Sequence, residues 1–252
     1  MLQDLFSLLF GCIPIYMLQN PVGFRVAIFV AVILAGGAWW LCSVYTRMWN
    51  KQFQIKLLHH VGCAFVALLT MLFCILFASV QSTRDAAIVS TELWKVQLQT
   101  DQVWASQTFL AAYEKVKDLG IEDFSRISPS GGVIPTTKPE SEQTAASVYV
   151  GEACRHFEKS RPFLSKVVWT DPGVPSTVVY NDISAWHRTN PNYSCERAIN
   201  LAAEQIEEHL DAQTPRLVYV FRLGLIAALV VVQGIAFALV GWVASRDIRP
   251  HY

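Results

Sequence analysis

The sequence has no excess of charge of either sign, and this lack narrows the functions that it can serve. Twenty Lys and Arg residues balance 20 Asp and Glu residues, and charged residues make up only 16% of the 252-residue chain. Because no basic arm or stripe is present, we expect no direct nucleic-acid binding. Hydrophobic residues make up 53% of the chain, which is typical of a membrane protein.

Sequence motifs for catalysis and cofactor binding are also missing. The chain has no G-x-S-x-G, no phosphate-binding loop, no H-E-x-x-H and no dinucleotide-binding glycine pattern. Asp182, His187 and Ser194 are the residue types of a catalytic triad, but such a trio occurs by chance in any chain of this size. His59 and His60 have no histidines facing them on other apolar runs, which disfavours haem. We therefore predict a protein that is not an enzyme and has no cofactor or metal.

Three long apolar runs are the most informative feature that the chain does have. Residues 22–45, 57–80 and 217–244 are each at least 24 residues long, whereas about 20 helical residues cross the hydrocarbon core of a bilayer. They predict three transmembrane helices in an all-α integral membrane protein. The apolar stretch 2–18 is interrupted by Gly11 and Pro14. We interpret residues 1–21 as an interfacial or re-entrant segment, with a fourth spanning helix as the alternative.

The short segments between and after the runs predict an orientation in the cell (inner) membrane. The loop 46–56 and the tail 245–252 carry most of the nearby cations: Arg47, Lys51, Lys56, Arg246 and Arg249. Positive residues in short loops stay cytoplasmic, so residues 81–216 are predicted to be extracytoplasmic, on the periplasmic side. Four arginines near the ends of the runs are candidate membrane-interface anchors: Arg25, Arg222, Arg246 and Arg249.

Residues 81–216 are predicted to form a small helical domain. Helical periodicity over 84–119 predicts one amphipathic helix that continues the second run and ends at Gly120. Further helices are predicted over 145–160, with a continuation after Pro162, and over 195–212. Residues 128–143 read as an exposed loop, 171–176 as a turn and 177–180 as a short strand. Thr214 followed by Pro215 predicts a new helix start, with a kink or hinge before the third run.

Only two of the six cysteines lie in the predicted outer domain. Cys154 and Cys195 would meet an oxidising compartment there, which favours a disulfide. Two free thiols are one alternative. Metal ligation together with His156 and His187 is another, although the spacing matches no established zinc site.

Two groups of residues are candidates for protein contacts. Small residues recur at helix-packing spacing in the third run and predict an interface within the protomer or between chains: Gly224, Ala228, Gly234, Ala238 and Gly241. Ordinary membrane composition is the alternative, because glycine is common in such helices. Four tryptophans of the outer domain exceed what a small core needs and are candidate partner-binding residues: Trp94, Trp104, Trp169 and Trp186.

The end of the third run carries a family resemblance. Residues 216–249 begin with a cation, continue as an aliphatic run and end in GWVASRDIR, with Arg246, Asp247, Ile248 and Arg249. This pattern is similar to small membrane proteins of unknown function from integrating conjugative elements and plasmid type IV secretion clusters. The resemblance implies a helical extracytoplasmic region held between membrane helices and an accessory role in DNA transfer, with no catalytic residues.

The combined prediction is a non-enzymatic structural or accessory subunit of a multiprotein assembly in the membrane, and the resemblance implies conjugation or secretion machinery. Its expected partners are membrane lipid, other membrane subunits and a second copy of the chain. A membrane sensor that signals through a partner and an oligomeric channel are the alternatives.

Overall fold

Helices dominate the chain. A computed structural model describes residues 1–49, 57–119, 133–135, 139–169, 174–186 and 192–246. The helices are α1 (Leu2–Gln19), α2 (Pro21–Trp49), α3 (Leu57–Ser79), α4 (Thr83–Thr100), α5 (Gln102–Val116), α6 (Pro139–Ser160), α7 (Pro162–Val168), α8 (Val174–Trp186) and α9 (Cys195–Arg246). Short 3-10 turns lie at Val80–Ser82 and Lys117–Leu119, and two strands, β1 (Val133–Pro135) and β2 (Asn192–Ser194), complete the described structure.

The predicted all-α class is confirmed, and the apolar helices fit a membrane location. In the part of the chain that the structure describes, four helical stretches are long and apolar enough to cross a membrane: Leu2–Gln19, Pro21–Met48, His60–Thr100 and Cys195–Val243. The last three cover the predicted spans except for residues 57–59 and 244. The predicted count of three is not confirmed, because α1 meets the same requirements of length and composition.

The chain divides into two compact units. We call Met1–Leu8 with Arg84–Thr214 the helical domain, and Leu9–Thr83 with Pro215–Tyr252 the apolar unit. Residues 84–214 of the helical domain lie within the predicted outer region 81–216, whose extracytoplasmic location stays a prediction. The first residues of α1 also belong to that domain, which the sequence patterns did not indicate.

In the apolar unit, α9 packs against α3 through both polar and small residues. Gln233 Nε2 donates hydrogen bonds to the Val66 carbonyl oxygen at 3.1 Å and to Thr70 Oγ1 at 2.6 Å. The core beside them consists of Cys42, Cys63, Val66 and Ala236. The Gln233 amide therefore links α9 to α3 by hydrogen bonds beside an apolar core.

The second half of α1 contacts the 3-10 turn that follows α3 and the first residue of α4. Cys12 Sγ lies 3.7 Å from Thr83 Oγ1, and Ser82 Oγ donates to Gln19 Oε1 at 3.4 Å. Cys12 and Gln19 are about 10 Å apart along a helix axis, yet their partners are neighbours in the chain. Two helices packed side by side would instead pair residues that are separated equally on both.

The predicted helix over 84–119 is wrong at its middle, because Asp101 divides it into α4 and α5. Asp101 has an extended backbone (φ −81°, ψ 92°), and its side chain accepts hydrogen bonds from the backbone of Val103 and Trp104. Aspartate is a favoured N-cap because its carboxylate bonds the first free N–H groups of the next helix. The hydrophobic period continues through this break, so periodicity alone did not reveal it.

Helix α7 begins where Pro162 predicts, but its cap comes from the far end of the chain. Pro162 occupies the first turn, and the N-cap residue Arg161 makes no side-chain capping bond. Instead, Asp4 Oδ2 accepts hydrogen bonds from the backbone N–H of Phe163 at 2.9 Å and of Leu164 at 3.4 Å. The N-terminal segment is thus a structural part of the helical domain.

Two short segments differ from the predicted secondary structure. Residues 177–180, predicted as a strand, lie within helix α8. The strands are instead β1 and β2, which pair antiparallel with Ile134 opposite Tyr193. Both of these side chains are buried. A strand of 3 residues is too short to show an alternating pattern of apolar and polar residues. No sign of β1 was therefore visible in the sequence of the predicted loop 128–143.

The predicted new helix start at Thr214–Pro215 is also wrong, because Pro215 lies inside α9. The Thr214 hydroxyl donates to the Leu210 carbonyl oxygen at 2.8 Å. This bond points back along the same helix, whereas a capping threonine bonds forward to the next one.

Candidate functional sites

The five small residues predicted to form a helix interface divide into two sets. Gly241 is buried, and a Cβ atom added there would lie 3.2 Å from the Tyr45 ring. Gly224 and Gly234 are exposed, and an added Cβ would meet nothing within 4 Å. Ala238 is exposed and Ala228 is half-buried. Gly241 therefore contributes to packing within the protomer, whereas Gly224, Gly234 and Ala238 are exposed on the outside of α9.

The exposed small residues belong to a longer stripe that sequence reasoning missed in part. We define the α9 seam as six exposed residues at alternating spacings of four and three: Val220, Gly224, Ala227, Val231, Gly234 and Ala238. The five steps cover 18 residues and average 3.6, the period of an α-helix, so the six residues lie on one face of α9. Small side chains along such a seam let a second helix approach closely. The alternating spacing itself was the signal that could have identified the other three members.

The four predicted membrane-interface anchors differ in their placement. Arg25 is exposed near the start of α2. The Arg222 guanidinium lies over the Phe77 ring, 5.6 Å from its centroid, which is a cation–π distance. Arg246 ends α9, while its side chain and the whole of Arg249 fall outside the described residues.

Two of the four candidate tryptophans are core residues. Trp94 is fully buried, and its ring meets Phe157 edge-on with centroids 5.2 Å apart. Trp169 is also buried, and its ring meets Phe157 edge-on with centroids 5.6 Å apart. Trp186 lies in α8, and its side chain is outside the described part of the structure. Trp104 is half-buried at the surface.

Trp104 lines a cleft between α5 and α6 in the helical domain. The cleft holds about 420 Å³, within the range of small-molecule sites. One wall is the start of α5, with Asp101, Trp104 and Gln107. The other wall is one face of α6, with side chains at spacings of three and four: Glu152, Arg155, His156 and Lys159.

A hydrogen bond from the core fixes the protonation of the cleft histidine. Trp94 Nε1 donates to His156 Nδ1 at 3.0 Å, so Nδ1 carries no proton and a neutral ring holds its proton on Nε2. Burial lowers the pKa of His156, with a smaller opposing effect from Asp101 and a further lowering by Lys159. The imidazole is therefore neutral near pH 7 and offers the cleft an N–H donor.

The predicted disulfide is not formed, since Cys154 and Cys195 are both free thiols. Cys195 Sγ lies 3.9 Å from the Ala105 carbonyl oxygen, and its thiol also contacts Tyr149. Tyr149 and Cys154 are five residues apart on α6, so they point about 140° apart around that helix. Burial raises the pKa of Cys154 to about 12 and that of Cys195 to about 11.

Two of the remaining polar candidates, Asp182 and Ser194, each make a hydrogen bond within the described residues. Asp182 Oδ2 accepts a hydrogen bond from Gln205, and Ser194 Oγ accepts one from the backbone N–H of Arg197. His187 lies outside the described residues. Within the described ranges, no group of three or more His, Cys, Asp or Glu side chains is placed to hold a metal ion.

Taken together, the fold and these sites describe an all-α protein with membrane-length apolar helices, a helical domain and an open seam of small residues. Comparison with protein-family models, curated proteins and solved structures finds no match to this chain.

Proposed function

We propose that this protein is a non-enzymatic membrane subunit that joins a larger assembly through the α9 seam. The observation that carries the proposal is that one side of α9 packs within the protomer while another side is exposed. One side of the helix packs within the protomer through Gln233, Ala236 and Gly241. The other side presents the seam, where Gly224 and Gly234 leave open space. Close helix approach in a bilayer depends on such small residues.

In the proposed topology, α2, α3 and α9 span the membrane and α1 lies at its surface. The contacts of Cys12 and Gln19 with adjacent residues near the end of α3 support this, because a spanning α1 would run alongside α3. Exposed Phe6, Phe10 and Met17 give α1 an outward apolar face. Such a face can enter the boundary between headgroups and acyl chains.

The helical domain is proposed to lie outside the cytoplasm. Support comes from the sequence of residues 46–56 between the predicted spans, where Arg47, Lys51 and Lys56 occur without an acidic residue. Positive loops of this length remain cytoplasmic, which assigns the opposite end of α3 to the outer surface.

Accessory function in conjugation or secretion is the most specific form of the proposal. It rests on the resemblance of residues 216–249, ending in Arg246, Asp247, Ile248 and Arg249. The partners would then be membrane lipid, neighbouring membrane subunits and a second copy of this chain.

The test of the seam is a bulky substitution at its centre. Gly234→Leu should reduce the native size of the detergent-purified protein, or the recovery of co-purifying subunits, because the added side chain holds a partner helix away. Gly36→Leu on α2 is the matched control, since an added Cβ there also meets nothing within 4 Å. Unchanged size and recovery in Gly234→Leu would contradict assembly through the seam.

A membrane sensor is the second candidate, and the α5–α6 cleft is the observation that favours it. The cleft combines an indole, charges of both signs and a fixed imidazole donor in the helical domain. A ligand-binding domain between membrane helices would pass its signal to a partner protein.

A further inference from the structure

We propose that the α5–α6 cleft binds a small zwitterion, namely a free α-amino acid with an apolar or aromatic side chain. This inference goes beyond assembly through the α9 seam and does not depend on it. It rests on the charges, the hydrogen-bond donors and the aromatic surface that line the cleft.

The charges of the lining cancel, which favours a ligand that carries both signs. Asp101 and Glu152 contribute two negative charges, Arg155 and Lys159 contribute two positive charges, and His156 is neutral. A simple anion would meet two carboxylates, and a simple cation would meet two basic groups. A zwitterion instead pairs each of its charges with an opposite one.

The carboxylate of the ligand has two donors on neighbouring turns of α6. His156 and Lys159 are three residues apart, which places them on the same face of the helix. The Trp94 bond leaves the His156 proton on Nε2, so the imidazole presents a donor without charge. Lys159 is exposed and adds an ammonium group with three donors.

The ammonium of the ligand has an acceptor on the opposite wall. Both capping bonds of Asp101 end on Oδ1. No hydrogen bond to Oδ2 is found within the described residues, so this oxygen can accept from a ligand. Glu152 stands across the cleft, but Arg155 Nη1 already bonds its Oε1. Asp101 is therefore the principal partner of the ammonium.

The aromatic and apolar part of the cleft accounts for the side chain of the ligand. Trp104 is half-buried, and Val103 and Ala111 complete an apolar patch on α5. The volume of about 420 Å³ holds an amino acid with a large side chain, whereas glycine would leave most of it to water.

The first experiment uses ligands that differ by one charge. The full chain in mild detergent is titrated calorimetrically with L-phenylalanine and L-leucine, then with 3-phenylpropanoate, which lacks the ammonium, and phenethylamine, which lacks the carboxylate. We expect saturable binding of the amino acids and at least about tenfold weaker binding of both analogues. No saturation by either amino acid up to about 10 mM overturns the proposal. Binding of either analogue as tightly as the amino acids would also overturn the proposal. Binding of O-phosphoethanolamine without binding of the amino acids would overturn it as well, and would indicate a site for a lipid headgroup.

The second experiment places the binding in this cleft. Asp101→Asn keeps an N-cap residue of similar strength but removes the charge, and Lys159→Ala removes the ammonium. Each should weaken L-phenylalanine binding about tenfold or more. Lys115→Ala, an exposed lysine of α5 outside the cleft lining, should leave the affinity unchanged. Wild-type affinity in both cleft variants would overturn the assignment of the site, even if the chain still binds amino acids.

Discussion

Asp4→Ala should loosen the start of α7, although the two are far apart in the sequence. Asp4 Oδ2 accepts from the backbone N–H groups of Phe163 and Leu164. Arg161, which precedes the helix, makes no side-chain capping bond of its own. The Asp4 carboxylate thus supplies what an N-cap residue normally supplies, and its charge also faces the positive end of the helix dipole.

The expected magnitude follows from these two roles. Removal of an N-cap side chain costs about 1 kcal/mol, and loss of an anion at a helix N-terminus costs about 0.3–1 kcal/mol. The sum of about 1.5 kcal/mol corresponds to roughly tenfold more frequent local opening. Asp4→Asn retains an oxygen acceptor but loses the charge, so it should lose only about 0.3–1 kcal/mol.

Hydrogen exchange followed by mass spectrometry measures this opening directly. Peptides that cover 162–168 should exchange about tenfold faster in Asp4→Ala, with Asp4→Asn between that variant and the wild type. Gln3→Ala is the control, because Gln3 is an exposed neighbour on α1. Unchanged exchange in Asp4→Ala, or equal acceleration in Gln3→Ala, would refute the capping role of Asp4.

Three further predictions concern other described contacts. Gln233→Leu should destabilise the protein by about 1 kcal/mol, because it removes interhelical hydrogen bonds, and a double-mutant cycle with Thr70→Val in a denaturant titration should show coupling. Because the pKa of His156 is lowered in the folded protein, the imidazole becomes protonated at a higher pH in the unfolded chain than in the folded one. Stability should therefore be complete above about pH 6.5 and decline as the pH falls toward the folded pKa, while His156→Gln removes this component of the decline. Cys154 and Cys195 should resist alkylation in the folded protein, since both are buried and their pKa values are raised.

Each of these predictions has a contradicting outcome. Zero coupling between Gln233→Leu and Thr70→Val would mean that their hydrogen bond contributes nothing to packing. Identical pH profiles for the wild type and His156→Gln would show that the imidazole is not held neutral. Alkylation of Cys154 at the rate of an exposed thiol, or a mobility shift between reducing and non-reducing gels, would contradict two buried free thiols.

The sequence predicted those features that depend on neighbouring residues. Long apolar runs set the positions of α2, α3 and α9, and Pro162 marked the start of α7 because its ring fits a first helical turn. Helix α6 was found from its apolar period, although it begins at Pro139, six residues before the predicted start.

Features set by distant contacts were not predictable in this way. The pairing of Ile134 with Tyr193 joins two short segments that lack a strand pattern of their own. The break at Asp101 depends on one side chain that competes with a continuing helical period. The cleft required α5 and α6 to meet, so neither the bond between Trp94 and His156 nor the neighbouring charges formed a motif in the linear sequence.

The capping bond between Asp4 and α7 also bears on the order in which the protein is made. Asp4 leaves the ribosome early, whereas Phe163 follows 159 residues later. Closing a loop of this length carries an entropic cost before the contact forms. The Asp4 carboxylate can therefore reach α7 only after α2, α3 and the helices that follow them have been synthesised.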